Sequence, residues 1–232
     1  EVSKPVPADH EVLIRVQCFG LNYADVMARY GQYQDAPPLP AVLGYEVAGT
    51  IEEIGKNVND FAVGNKVMAF TRFGGYAEFA VADARGTVEI PRNITMVEAT
   101  ALPTQYGTAY YCAYEMVNLF KDDHVLIHAA AGGVGTALIQ LARKKGCVIY
   151  GTAGSEEKLD YLRGIGVDYP INYRSADFYK KIKNIRGKEG IDVVFDPVGG
   201  TNYKKSRKLL AHGGRIVSFG VSERSGKKGG IF

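Results

Sequence analysis

The sequence predicts an α/β protein in two parts, a mostly β first part and a doubly wound parallel sheet in the second. Up to about residue 100, short apolar runs are separated by Gly, Asn and Asp, which is typical of β-strands joined by turns. From Thr108 onward, apolar strand-like runs alternate with helical runs, as in a parallel sheet with crossover helices. We expect the boundary near "EATALPTQYGTAYY" and place the domains at residues 1–105 and 106–232.

The strand candidates follow one another along the chain. In the first part they are "EVLIRVQCFG", "YEVAGTIEEIG", "GNKVMAF" and "GGYAEFAVA", which we expect to form a barrel-like domain. "MVEATALP" predicts a short helix that leads into the second part. The strands expected there are "HVLIHA", "CVIYGTA", "YPINY", "IDVVFDPV" and "GGRIVSFG". Strand-like residues lie close to both ends, so we expect the chain to be a fragment of a longer protein.

Composition indicates an ordinary globular protein, with 232 residues of which 46% are hydrophobic and 23% charged. The formal net charge of +3 gives little reason to expect nucleic acid as a partner, although a local basic patch stays open. Cys18, Cys112 and Cys147 are scattered, which argues against a disulfide framework and favours a reducing compartment. No apolar run approaches the roughly 20 residues of a membrane helix. We therefore expect a cytoplasmic protein without a transmembrane segment, with peripheral membrane association left open.

The stretch "HVLIHAAAGGVGTALIQLARKKG" places three glycines between a strand and an amphipathic helix. A glycine at 132 leaves room for a pyrophosphate at the start of the helix, and a glycine at 135 lets helix and strand pack closely. Ala130 stands where the GxGxxG pattern has its first glycine. A turn without a ligand is the alternative, but the preceding strand and four further βα-like units favour dinucleotide binding. The residues predicted to bind the cofactor here are Ala131, Gly132, Gly133, Val134 and Gly135.

The end of the next strand predicts which dinucleotide binds. An NAD site has an acidic side chain there, about 20 residues after the glycine turn, to hold the ribose hydroxyls. The sequence "GTAGSEEKLDYL" instead offers Gly154 and Ser155, followed by Lys158, which suit a 2′-phosphate. Ser155 also fits a simple helix N-cap, and the two roles are compatible. We therefore predict NADPH, with Tyr173 either beside it or on the surface as an ordinary tyrosine.

Several motifs, in order, resemble the zinc-free quinone oxidoreductases of the medium-chain dehydrogenase/reductase superfamily, in the branch with the vesicle amine transport protein 1 homologues. They are "GLNYADVMARYGQY", "PAVLGYEVAGTIEEIG", "VGNKVMAF", "GGYAEFAVAD", "ALPTQYGTAYYCA", "AAGGVG" and "DPVGG". The resemblance implies a GroES-like first domain, a Rossmann-type second domain and a homodimer. It also implies that further β-structure of the relatives, at both ends, is missing from this chain.

The resemblance bears on metal content as well. Zinc-dependent relatives have a cysteine and a histidine at the positions that hold Asn22 and Tyr45 here. Two carboxylates nearby, Asp25 and Glu46, are a poor tetrahedral zinc site without thiolate or imidazole. The four histidines lie apart along the sequence. We therefore predict no metal site.

Without a metal, the acceptor must be one that delocalises the charge it receives, such as a quinone or an α,β-unsaturated ketone. Asn22 could donate to the acceptor oxygen, Asp25 could hold neighbouring backbone or Tyr23, and Tyr45 could add a phenolic donor. These are the candidate catalytic residues. Each also has a structural alternative, since Asn22 and Asp25 suit a helix cap and Tyr45 could fill the space of a metal.

By the same resemblance, Thr108 of "QYGTAYY" lies beside the nicotinamide, and the loop "SFGVS" contributes Phe219, Gly220 and Val221 to its pocket. The turn that begins at Asp196 would face the same cleft. Two functions stay open: an NADPH-dependent reductase of small quinones or enones, and an NADPH-binding adaptor or trafficking protein with little turnover. A zinc alcohol dehydrogenase is a third.

Overall fold

The computed structural model describes residues 2–224, and residues 225–232 of the predicted second domain lie outside the described residues. The chain divides into two compact units, Glu1–Thr104 and Gln105–Phe232. Each unit has its own sheet.

The first unit is a five-stranded antiparallel sheet in the order β4-β1-β2-β3-β5. Its elements are β1 (Glu11–Phe19), α1 (Tyr23–Arg29), β2 (Glu46–Ile54), β3 (Lys66–Phe70), β4 (Phe79–Asp83), β5 (Thr87–Glu89) and α2 (Met96–Ala99), with a 3₁₀ turn at Ala84–Gly86. Inward-facing residues alternate with exposed ones in β3 and β4, as expected where a sheet packs on one face. Four of the five strands match the predicted runs; β5 was not predicted.

The second unit is a parallel sheet in the order β10-β9-β6-β7-β8, with helices on both faces. Its elements are α3 (Gly107–Tyr110), β6 (His124–Ile127), α4 (Gly133–Lys145), β7 (Val148–Ala153), α5 (Glu156–Gly164), β8 (Tyr169–Asn172), α6 (Phe178–Arg186), β9 (Ile191–Asp196), α7 (Gly200–Arg207) and β10 (Leu210–Ser218). α3 lies between two wider, π-helical stretches, Leu102–Tyr106 and Tyr111–Met116. After β6, three complete βα units and a last strand follow, rather than the four units expected.

The strand order positions the candidate site. The chain runs from β6 outward to β7 and β8, then crosses back so that β9 pairs with β6 on its other side. Two separate apolar clusters, one with α4 and α5 and one with α6, cover the sheet residues. Ligands of such sheets bind beyond the carboxyl ends of the strands where the order reverses, here between β6 and β9.

Candidate cofactor and substrate sites

The turn between β6 and α4 leaves the start of the helix uncovered. Gly132 is the N-cap residue, and no side chain caps the helix. Its own N–H donates to the carbonyl oxygen of Ala129 over 2.9 Å. Ala129 has a φ of +49°, a conformation uncommon for alanine, which turns the chain sharply just after β6. The free N–H groups of the first helical turn suit an anion, as the sequence predicts.

The glycines of this turn have different roles. A Cβ on Gly135 would lie 2.6 Å from the carbonyl oxygens of both Ala129 and Ala130, so the helix packs against the strand only because this residue is glycine. A Cβ on Gly132 would meet only the Ala129 oxygen, at 3.2 Å. Gly132 has φ −87° and ψ 173°, which any residue adopts. Folding therefore requires glycine at 135 more than at 132.

A cavity of about 440 Å³ opens beside this turn. Five predicted cofactor residues line it, namely Ala131, Gly132, Gly154, Lys158 and Tyr173. The sequence analysis missed eight other lining residues, which are Ala129, Thr152, Ala153, Val198, Thr201, Asn202, Ser222 and Glu223. The residues after β7 and β9 could have been found from the strand ends alone; no sequence signal indicated Glu223.

The far end of the cavity carries Lys158, on the first turn of α5. Ser155 caps that helix by accepting the N–H of Lys158 over 3.4 Å, so the predicted N-cap role is present. The hydroxyl of Tyr173 lies 2.6 Å from the place where a Cβ on Gly154 would be. Tyr173 therefore covers Gly154, and a side chain at 154 would displace the phenol. The ammonium and hydroxyl groups suit a phosphate at this end.

The one acidic residue among those lining the cavity is Glu223. Its carboxylate accepts the N–H of Thr201 over 2.8 Å, at the start of α7. A Cβ on Gly200 would lie within van der Waals overlap of the same carboxylate. Glu223 thus caps α7, whose positive N-terminal end offsets the charge.

A buried polar cluster lies beneath the cavity, at the switch point. The ring of His128 is hydrogen-bonded to Thr152 Oγ1 at 3.1 Å and to Ser206 Oγ at 2.8 Å. Burial lowers the pKa of His128 to about 4, against the opposing charge of Asp196. Asp196 Oδ1 accepts the N–H groups of Val198 and Gly199 over 2.8 and 3.0 Å, which fixes the turn that enters α7.

The residues predicted for the nicotinamide do not line this cavity. Thr108 is half-buried on α3. Phe219 donates its N–H to the Asp196 carbonyl over 3.2 Å, and a Cβ on Gly220 would lie 2.7 Å from the Pro197 oxygen. The loop with Val221 therefore packs on the turn after β9. Gly133, Val134, Gly135 and Ser155 also lie outside the lining residues, and their predicted role in binding stays a prediction.

In the first unit, the polar residues predicted to act on substrate form one hydrogen-bonded group. Asn22 caps α1, and its Nδ2 donates to Glu46 Oε1 over 2.8 Å. Asp25 accepts the backbone N–H of Asn22 over 3.1 Å and that of Gly44 over 3.0 Å. Glu46 also accepts the N–H of Thr104 over 2.7 Å. The predicted capping role of Asn22 and Asp25 is present, and the contact of Asn22 with Glu46 was missed.

Tyr45 is packed among aromatic rings. Its ring centre is 4.9 Å from that of Phe73, 5.7 Å from that of Phe70 and 5.9 Å from that of Tyr33. Burial, with the Tyr33 hydroxyl beside it, raises the pKa of Tyr45 far above its usual range. The phenol is therefore neutral and able to donate, while the ring fills space.

The donor set here does not fit a tetrahedral zinc ion. The two carboxylates, Asp25 and Glu46, each accept N–H groups with both oxygens. An amide at 22 and a neutral phenol at 45 are weak ligands for zinc. Within residues 2–224, no group of three or more His, Cys, Asp or Glu side chains could hold a metal.

Comparisons with known proteins agree with this architecture. Residues 8–92 match the family described as alcohol dehydrogenase GroES-like domain, and residues 133–229 match zinc-binding dehydrogenase. The quinone oxidoreductase of Homo sapiens is 36% identical over 221 residues, which is 95% of this chain and 67% of that protein. This chain belongs to the medium-chain dehydrogenase/reductase superfamily.

A second medium-chain dehydrogenase/reductase relative is the synaptic vesicle membrane protein VAT-1 homolog of Danio rerio. It is 38% identical over 232 residues, which is 99% of this chain and 48% of that protein. The chain therefore spans about half the length of that homologue. The resemblance inferred from the motifs is confirmed.

Solved medium-chain dehydrogenase/reductase structures superpose well. Escherichia coli quinone oxidoreductase complexed with NADPH gives a TM-score of 0.91 at 31% identity, over 100% of this chain and 70% of that one. The CurK enoyl reductase gives 0.87 at 31% identity, over 100% and 70%. The predicted fold class, a Rossmann-type sheet with a GroES-like domain, is confirmed. Along residues 2–224, no helix is both long and apolar enough to span a bilayer.

Proposed function

We propose that this protein is an NADPH-dependent, metal-independent oxidoreductase that reduces quinones or α,β-unsaturated carbonyl compounds. The observation that carries the proposal is the cavity with an uncapped helix start at Gly132 and a cation at Lys158. Similarity to quinone oxidoreductases and to an enoyl reductase supports it. We assign cofactor binding to residues 106–232 and acceptor binding to residues 1–105.

The cavity residues fit NADPH by their charge and shape. The N–H groups of Gly133, Val134 and Gly135 would hold the pyrophosphate. Lys158 and Tyr173 would hold the 2′-phosphate, because charge-assisted hydrogen bonds to phosphate favour NADPH over NADH. No acidic side chain follows β7 directly to repel that phosphate, and the carboxylate of Glu223 is already engaged by α7. Thr108, Phe219, Gly220 and Val221 are assigned to the nicotinamide.

The acceptor would be oriented by neutral donors rather than by a Lewis acid. NADPH supplies the hydride when bound. The amide of Asn22 would donate to the acceptor oxygen as negative charge develops there, and Tyr45 would add a neutral phenol. The acceptor oxygen then takes its proton from solvent. Quinones and enones suit such a site because conjugation spreads the charge.

An NADPH-binding adaptor with little turnover is the second candidate, favoured by similarity to VAT-1 homologues. NADPH oxidation measured with a panel of quinones and enones, beside a binding titration, separates the two. We expect turnover with at least one acceptor. Tight binding with no turnover on any acceptor would select the adaptor.

A zinc-dependent alcohol dehydrogenase predicts a different response to metal removal. We expect dialysis against a strong chelator to leave the quinone-dependent rate unchanged, because Asn22 and Tyr45 stand where zinc ligands would be needed. A loss of rate that added zinc restores would contradict the metal-independent proposal.

A further inference from the structure

Glu46 is a fully buried carboxylate for which the proposed reaction has no use so far. It is the first residue of β2, with no exposed surface. Burial of a charged group is costly unless hydrogen bonds compensate it. Both oxygens are compensated by neutral N–H groups, from the Asn22 side chain at 2.8 Å and the Thr104 backbone at 2.7 Å.

The backbone beside Glu46 leaves room for this side chain alone. A Cβ on Gly20 would lie 2.0 Å from Glu46 Oε1, so any larger residue there would expel the carboxylate. The Gly20 N–H also donates to the Glu46 carbonyl oxygen, over 3.3 Å. The carboxylate is thus held in one place between the end of β1 and the start of α1.

A carboxylate only accepts hydrogen bonds, whereas the two ends of an asparagine amide differ. The nitrogen of Asn22, not its oxygen, must therefore face Glu46. The backbone of Asn22 is fixed independently by Asp25, which accepts its N–H over 3.1 Å. With backbone and amide both fixed, the second N–H of Nδ2 has a defined direction.

We propose that Glu46 is a positioning residue, which orients the Asn22 amide so that its second N–H donates to the carbonyl oxygen of the acceptor. The proposal rests on the proposed function. It explains why a fully buried acid, held by neutral donors, is kept beside a residue assigned to substrate. Glu46 itself neither touches the acceptor nor transfers a proton.

Three variants test it: Glu46→Gln, Asn22→Asp, and the two combined. In Glu46→Gln, the new amide can accept from Thr104 but presents N–H to the N–H of Asn22, so the Asn22 amide must turn over. In Asn22→Asp, two carboxylates face each other. In the double variant, the glutamine amide introduced by Glu46→Gln donates to the carboxylate introduced by Asn22→Asp and still accepts from Thr104. The pairing is then restored with its direction reversed.

The measurements are Tm, NADPH affinity and the kinetic constants with a quinone. Each single variant should lower Tm, and the double variant should recover it. All three should lose roughly a hundredfold in kcat, the effect of removing one donor to developing charge, with NADPH affinity unchanged. A merely structural Glu46 would let kcat recover together with Tm in the double variant. Glu53→Gln, an exposed carboxylate on the same strand, is the matched control and should change neither.

The outcomes separate this proposal from the proposed function. Unchanged kcat in Glu46→Gln, or recovered kcat in the double variant, would overturn the positioning role while leaving the reductase intact. If the unaltered chain binds NADPH but turns over no acceptor, the proposed function fails and the positioning role fails with it.

Discussion

Lys158 is the single residue on which cofactor choice depends most. It lines the cavity from the first turn of α5, and the residue at the end of β7 is glycine rather than an acid. A charge-assisted hydrogen bond contributes about 1.5–3 kcal/mol, or roughly 10- to 150-fold in affinity. We therefore expect Lys158→Ala to weaken NADPH by that factor and NADH little, as measured by binding titration.

The matched control for Lys158 is Lys144, which is exposed near the end of α4 and is not among the residues lining the cavity. Lys144→Ala should leave both affinities unchanged. Equal weakening of NADPH and NADH by Lys158→Ala would contradict the assignment of the 2′-phosphate.

Single residues also show where sequence reasoning stopped. The absence of an acid at 154 is visible in the sequence, but not that the Tyr173 hydroxyl occupies the space beside it. Likewise, Asn22 and Glu46 are 24 positions apart, and only the pairing of strands brings them within 2.8 Å. Gly154→Asp, which the sequence alone suggests as a switch toward NADH, therefore also requires Tyr173 to move.

At the scale of elements, the β6–α4 turn predicts opposite consequences for two of its glycines. Gly132→Val adds a side chain where the protein leaves space, so Tm should change little while NADPH no longer raises it. Gly135→Val places atoms against two backbone carbonyl oxygens at 2.6 Å, which should lower stability by about 1–3 kcal/mol or more. Thermal melts of both variants with and without NADPH provide the comparison.

The contrast between these glycines is what makes that experiment decisive. A Gly132→Val variant that folds and still shows the full NADPH-induced shift would mean that the turn does not bind the cofactor. A large loss of stability in Gly132→Val alone would contradict the open space seen beside that residue.

His128 connects the end of β6 to α7, and this link predicts a pH dependence. The folded protein keeps His128 neutral down to about pH 4, since burial lowers its pKa, whereas an unfolded histidine takes up a proton near pH 6.5. Between these values protons bind preferentially to the unfolded chain, so the free energy of unfolding should fall by up to ~1.4 kcal/mol per pH unit as the pH decreases. Stability curves across pH 4–7 measure this slope.

Removing the imidazole should flatten that dependence. His128→Asn lowers stability at pH 7, because the hydrogen bonds to Thr152 and Ser206 are weakened, but it removes this contribution to the slope. His212→Asn, at an exposed position on β10, is the control and should leave the slope unchanged. An unaltered slope in His128→Asn would show that another group titrates.

For the whole molecule, periodicity predicted nearly all of the element order, because strands and helices bury apolar residues with different spacings. β5 escaped because its three residues are too few to show a period. The predicted glycine turn lies in the cavity because strand ends meet at one edge of a parallel sheet. Glu223 could not be predicted, since its place depends on how the chain after β10 returns to α7.

The cavity also predicts where NADPH should protect the backbone from hydrogen exchange. Its lining comes from three separate stretches, 129–132, 152–158 and 198–202, each of which follows a strand. Bound NADPH should slow exchange in all three, because each loses contact with water when the cavity fills. Adenosine 2′,5′-bisphosphate, which carries the 2′-phosphate but no nicotinamide, should still protect the stretch with Lys158. α6, which packs in the apolar cluster away from α4, is the internal control and should exchange equally with and without ligand. Protection that appears on α6 and not at the glycine turn would place the cofactor elsewhere and contradict the assignment of this cavity.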